Sequence, residues 1–271
     1  MAKLLSKQPI GIFDSGIGGL TVANAIKELL PNEQLIYFGD TAHLPYGEKS
    51  EDAIKYYSIR IAQFLLKHQC KAIVIACNTA SSLAYHVVRD FVGNQAIVIN
   101  VIDPVVNHVT QKNSNKKIGV IGTKGTIKSN IYEKKILENN PNAEVASLAT
   151  PLLASMIEEG FFNNNISKTI IHSYLSKPKL KKVDAMILAC THYPLIKPEI
   201  TSFYKHNVEI VDSAEIVAKY IKKTLEATQL LNIGKPGKHH FYVSDYTEAF
   251  EKSTKFFFKS KIHLEEANFW N

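Results

Sequence analysis

The segment "AIVIACNTAS" (72–81) decides how this chain is read. Ile73, Val74 and Ile75 follow one another with no polar residue between them to mark an exposed face. A short, continuous β-branched run of this kind is a strand covered on both sides, as in a parallel sheet. It ends on Cys77, and Asn78 and Thr79 then suit the turn that opens a helix. The pattern returns at "AMILACTHYP" (185–194), where an apolar strand delivers Cys190 into Thr191 and His192.

Working outward, "PIGIF" (9–13), "QLIYF" (34–38) and "AIVIN" (96–100) read as further strands. Between them lie helical patterns at 20–30 and 50–69, the second with Ser50 as N-cap and acids in its first turn. A third helix is expected from about Thr79 to Asp90. The same order then repeats. "KIGVIGTKGTIKSN" (117–130) echoes "PIGIFDSGIGGLTVAN" (9–24), and "VEIVDSAEIV" (208–217) echoes "VINVIDPVV" (98–106). With the two cysteine segments, three matches keep one order and an offset of about 110 residues.

The expected fold is therefore α/β, with two similar pseudo-symmetric domains, mostly parallel sheets and an active-site cleft between them. Residues 1–99 plus 208–271 would form the first domain, carrying Asp14 and Cys77. Residues 100–207 would form the second, carrying Glu158 and Cys190. "NSNKK" (113–117) reads as a linker. The tail from Asn232 to Phe258 reads as a Gly/Pro turn, a short strand and a helix packed on one of the two domains.

Composition narrows the function classes. The 271 residues are 45% hydrophobic and 21% charged, ordinary values for a globular protein. Neither a membrane-length apolar run nor a signal peptide is visible, so a cytoplasmic address is the default expectation. The net charge of +7 is carried by lysine, with arginine only at Arg60 and Arg89. Readers of nucleic-acid sequence lean on arginine forks, so no such reading surface is expected. Three cysteines argue against a disulfide framework, and no His or Cys spacing suggests a metal site. "DSGIGG" (14–19) is not a dinucleotide fingerprint, because Thr21 stands where its third glycine should fall.

The chemistry rests on the two matched cysteines. Active crevices of parallel α/β sheets lie beyond the C-terminal strand ends, where Cys77 and Cys190 are expected. A helix N-terminus favours thiolate, so both thiols are expected below the ordinary value of about 8.5. Cys70, between a helix end and a strand, is expected to be structural. Two domains face to face would bring the two thiols to one cleft from opposite sides. Stereoinversion at carbon needs such a pair: one group removes a proton from one face, and the other returns a proton to the opposite face. Asn78, Thr79, Thr191 and His192 add donors beside the thiols. Turns at 14–19 and 45–47 could cradle a carboxylate through backbone N–H groups.

Taken together, "GIFDSGIGGLTV", "GDTAHLPYG", "ACNTAS", "MIEEG" and "ACTHYPL" resemble the glutamate racemases of the aspartate/glutamate racemase family over nearly the whole chain. The resemblance implies a cofactor-independent enzyme that interconverts L- and D-glutamate, supplies D-glutamate for peptidoglycan and forms a homodimer. It implies Cys77 and Cys190 as the two bases, acting on the D- and L-enantiomer respectively. Asp14 and His192 would assist them, with Glu158 behind His192. Substrate would be bound by Asp14, Ser15, Tyr46, Gly47, Asn78, Thr79, Thr191 and His192, and by Thr123 in the second-half turn. His43, Ala189 and Ser155 depart from the family's usual Arg, Gly and Pro. Two alternatives stay open from the residues: an aspartate racemase or related two-thiol isomerase, and a dicarboxylate-binding protein without chemistry.

Overall fold

The computed structural model describes residues 4–112, 116–268 and 270. Among them, ten strands form two sheets in which every ladder is parallel. The first half supplies β1 (Ile10–Asp14), β2 (Leu35–Gly39), β3 (Ala72–Ile75) and β4 (Ile97–Asn100). The second supplies β5 (Lys117–Gly122), β6 (Glu144–Ala149), β7 (Ala185–Ala189) and β8 (Glu209–Val211). The tail adds β9 (His240–Val243) and β10 (Leu264–Glu266). The sheet orders are β10-β9-β2-β1-β3-β4 and β6-β5-β7-β8. Without the tail strands, both halves follow one path, with the first strand central and the third beside it. The repeat read in the sequence is thus a repeat of topology.

Each cysteine strand is held against the centre of its sheet. Ile10 pairs with Ala72 and Ile118 with Ala185, so β3 and β7 run in matching register along β1 and β5. All residues of β1, β2, β3 and β7 are buried, because helices cover both faces. On one face Phe13, Phe38, Ile73 and Ile75 pack with Ile54, Ile61, Leu65 and Val88. On the other, Ile10, Ile12 and Val74 join Leu20, Ile26, Val217, Ile221 and Leu225 in a core that also holds Met186 and Leu188 of β7. One apolar core therefore runs through both halves.

Three details differ from the expectations. The helix read over 79–90 is two helices, Asn78–Leu83 and Tyr85–Val92, broken at Ala84. Ser82 Oγ donates to the Asn78 carbonyl four residues back (2.7 Å), a bond that bends helices. The strand Leu264–Glu266 carried no visible pattern, being three residues long with two glutamates. The boundary expected at 207/208 falls in front of β8, which pairs with β7 in the second sheet. The chain returns to the first half only with the helix Ser213–Ala227, which packs on Leu20–Leu29. Of the linker-like "NSNKK", residues 113–115 lie outside the described residues.

Candidate active site

The C-terminal ends of β1, β3, β5 and β7 open on one small cavity of about 50 Å³ between the halves. Ser15, Tyr46, Gly47, Cys77, Asn78 and Thr79 line it from the first half. Thr123, Glu158, Cys190, Thr191 and His192 line it from the second, with Ala154, Ser155 and Ala189 alongside. Every catalytic or substrate-binding candidate named from the sequence lines this cavity except Asp14, which stands one layer back.

Cys77 ends its strand as the N-cap of the helix Asn78–Leu83, its Sγ accepting from Ala80 N (3.5 Å) and lying 3.8 Å from Ser15 Oγ. The expected lowering of its pKa is not found. Burial, reinforced by the charge of Asp14, pushes the thiol up to about 12 despite those hydrogen bonds. One turn of helix dipole is outweighed by the cost of a buried thiolate. Cys70 is likewise pushed up to about 12 by burial, as fits a structural thiol.

Cys190 has different company. Its Sγ lies 3.6 Å from His192 Nδ1, and His192 Nε2 lies 2.8 Å from Glu158 Oε1. Burial alone would lower the histidine's pKa, but the hydrogen bonds and charges of Cys190 and Glu158 win and hold it well above its ordinary value. The imidazolium form suits this place, since it offers a proton from each ring nitrogen. The ring also meets Phe257 edge-on at 5.4 Å.

Asp14 is fully buried, and burial raises its pKa, opposed by His192 and by two backbone donors. Its Oδ2 accepts from Gly16 N (3.2 Å) and Gly19 N (3.0 Å), which shapes the turn 14–19. Its Oδ1 lies 3.4 Å from Thr191 Oγ1 of the other half. The turn approaches that half so closely that only glycine fits at position 18: a β-carbon would stand 2.7 Å from Thr191 Oγ1 and 2.6 Å from His192 Nδ1.

The opposite wall is as tight. Thr79 Oγ1 lies 2.9 Å from Thr123 Oγ1 and 3.2 Å from Thr126 Oγ1, so three hydroxyls tie the halves together. A β-carbon on Gly47 would come within 2.7 Å of Thr123 Cβ. Tyr46 donates its phenol to Asp40 Oδ2 (2.6 Å), and Asp40 Oδ1 accepts from Ser244 Oγ (2.8 Å). With the phenol committed, Tyr46 and Gly47 have backbone groups to offer the cavity. His43 points away, bonded to Asp40 Oδ1 (2.9 Å) and stacked on Tyr57.

Two contributors escaped the sequence. Tyr37 donates to Gly16 O (2.7 Å) beneath the first turn. Tyr132 donates to Asn78 Oδ1 (2.7 Å) across the cleft. Both sit among apolar neighbours at core spacing, so no local pattern separates them from packing residues. Among the described residues no His, Cys, Asp and Glu side chains converge as a metal site. No lysine is among the lining residues, so none is placed there to hold a carbonyl cofactor as a Schiff base.

A family model described as Asp/Glu/Hydantoin racemase matches residues 15–221. The chain is 41% identical over 261 residues to a protein named glutamate racemase from Chlorobaculum parvum, covering 96% of each. It superposes on the crystal structure of glutamate racemase from Francisella tularensis in complex with D-glutamate, with a TM-score of 0.91, 40% identity and coverage of 97% and 98% of the two chains. Glutamate racemase from Thermus thermophilus in complex with β-chloro-D-alanine aligns with a TM-score of 0.88 and 34% identity over 98% of each chain.

Proposed function

The chain belongs to the Asp/Glu/hydantoin racemase family, and we infer from its cavity that it interconverts L- and D-glutamate, with Cys77 and Cys190 as the acid and base at Cα. One observation carries this reading: two thiols, each at the C-terminal end of the equivalent strand of its own half, line the same cavity.

The steps follow from the chemistry of sulfur. A thiolate on one face takes the Cα proton, the C–H bond breaks, and its electron pair delocalises into the α-carboxylate. The thiol on the other face then breaks its S–H bond and delivers that proton to the opposite side of Cα. The enzyme is left with its protonation reversed, ready for the other enantiomer. Cys77, pushed up to about 12, holds its proton at rest. Cys190 faces an imidazolium 3.6 Å away, a favourable partner for a sulfur that must carry negative charge. Donors from Asn78, Thr79 and Thr191 and from the backbone of Ser15 and Gly47 bind the carboxylates. Asp14 supports both thiols from behind, setting the turn under Ser15 and reaching Thr191.

No cofactor is needed for this chemistry, and glutamate rather than aspartate is the substrate the curated relatives support. The product serves peptidoglycan synthesis in the cytoplasm, and the working form is a homodimer. Purified protein, given either glutamate enantiomer in chelator and without pyridoxal phosphate, should bring the optical rotation to zero. Aspartate should stay unchanged. Cys77→Ser and Cys190→Ser should each lower the rate at least about 100-fold, the scale of a lost general acid or base. Binding of glutamate without racemisation would replace the enzyme with a dicarboxylate-binding protein.

A further inference from the structure

Asn78 is 2% exposed, lines the cavity, and its Nδ2 has no hydrogen-bond partner among the described residues. A buried amide donor left unpaired is costly, and at a ligand site it marks where an acceptor belongs. The other end of the same amide is occupied: Oδ1 accepts from Tyr132 OH at 2.7 Å. Tyr132 is 2% exposed and comes from the helix Ile131–Asn139 of the second half, whereas Asn78 belongs to the first.

A carboxamide can turn over at little cost in shape, so its neighbours decide which end faces the cavity. A phenol deep in the protein needs an acceptor for its proton. Burial and the charge of Asp103 push the Tyr132 phenol well above its ordinary value, so it acts as a donor. Turning the amide over would set Nδ2 against the phenol and strand the phenolic proton. An unpaired buried polar group is costly, so the turned form is the minor one. It would also aim an oxygen, not a donor, at the bound carboxylate.

We propose that Tyr132 is a positioning residue for substrate: held across the cleft, its phenol fixes Asn78 Oδ1 and so aims Nδ2 at a carboxylate of the bound amino acid. The bond joins the two halves, so the donor is oriented when they are closed. Closure and recognition are thereby linked through one amide. The inference rests on the racemase reading for its ligand.

Kinetics of Tyr132→Phe, Asn78→Ala and the double variant test it. Tyr132→Phe should raise KM about tenfold for both glutamate enantiomers, with kcat within about threefold, the signature of lost ground-state binding. The double variant should lose no more than Asn78→Ala alone, because Tyr132 acts only through Asn78. An unchanged KM in Tyr132→Phe, or losses that add in the double variant, would overturn the proposal. A second readout is independent of turnover. In asparagine-labelled protein the side-chain amide signal of Asn78, assigned by its absence in Asn78→Ala, should shift or broaden in Tyr132→Phe. An unmoved signal would refute the orienting role even if wild-type protein failed to racemise glutamate, a result that would strike the functional reading instead.

Discussion

At the residue scale, the two cysteines are matched in backbone position and unmatched in surroundings. Cys77 is walled in with Ser15 and a buried Asp14, whereas Cys190 faces the His192–Glu158 pair. A racemase needs one protonated and one ionised thiol, and burial keeps the proton on Cys77. The histidine makes a pH test with a definite sign. Glu158 is one of the groups that raise His192 above its ordinary pKa. Glu158→Gln removes that charge, so His192 should lose its proton at lower pH. The alkaline limb of the kcat/KM profile should move toward acid; a limb that stays put or moves upward would remove His192 from the mechanism. The cysteines and His192 were legible in the sequence, because Cys-Asn-Thr and Cys-Thr-His stand in matching contexts, whereas Asp14 and Glu158 were reached through the family resemblance. The direction of the Cys77 shift was not. It depends on burial by residues distant in the chain, which a reading of one helix terminus leaves out.

At the element scale, glycine and small polar caps let the halves close on each other. Gly47→Ala should raise KM, because a β-carbon 2.7 Å from Thr123 Cβ forces apart the wall that Thr79 and Thr123 form. Unaltered KM would show that the wall yields freely. Ser50 offers a control away from the site: its Oγ accepts from Ala53 N (3.3 Å) at the start of the helix Glu51–Lys67. Ser50→Ala should cost about 1 kcal/mol in denaturant melts and leave turnover unchanged. That cap could be read from Ser50-Glu51-Asp52 alone. The break at Ala84 could not, because it follows from serine hydroxyls choosing backbone carbonyls. Nor could the pairing of Tyr132 with Asn78, which joins residues 54 apart across the cleft.

At the scale of the whole molecule, two sheets of the same strand order share one core, and the site lies where their strand ends meet. Alternating apolar and amphipathic segments made the fold class and the repeat legible. Placing β8 in the second sheet took pairing partners, which a three-residue strand does not advertise. The fold also rests on one buried ion pair far from the site. Lys71 and Glu33, both fully buried, meet at 2.6 Å, and Glu33 also accepts from Asn232 N (2.8 Å). Lys71→Ala should cost about 3–5 kcal/mol of unfolding free energy, since it leaves a buried carboxylate without its counter-charge. The small cavity between the halves, about 50 Å³, is lined by both thiols. That one thiol takes the Cα proton and the other returns a different one is the central claim, and isotope transfer reads it directly. With L-glutamate in deuterium oxide and the reaction stopped early, the D-glutamate formed should carry solvent deuterium at Cα while the remaining L-glutamate carries none. D-glutamate that kept the original Cα hydrogen would show a single group returning the proton it took, and would contradict the two-thiol account.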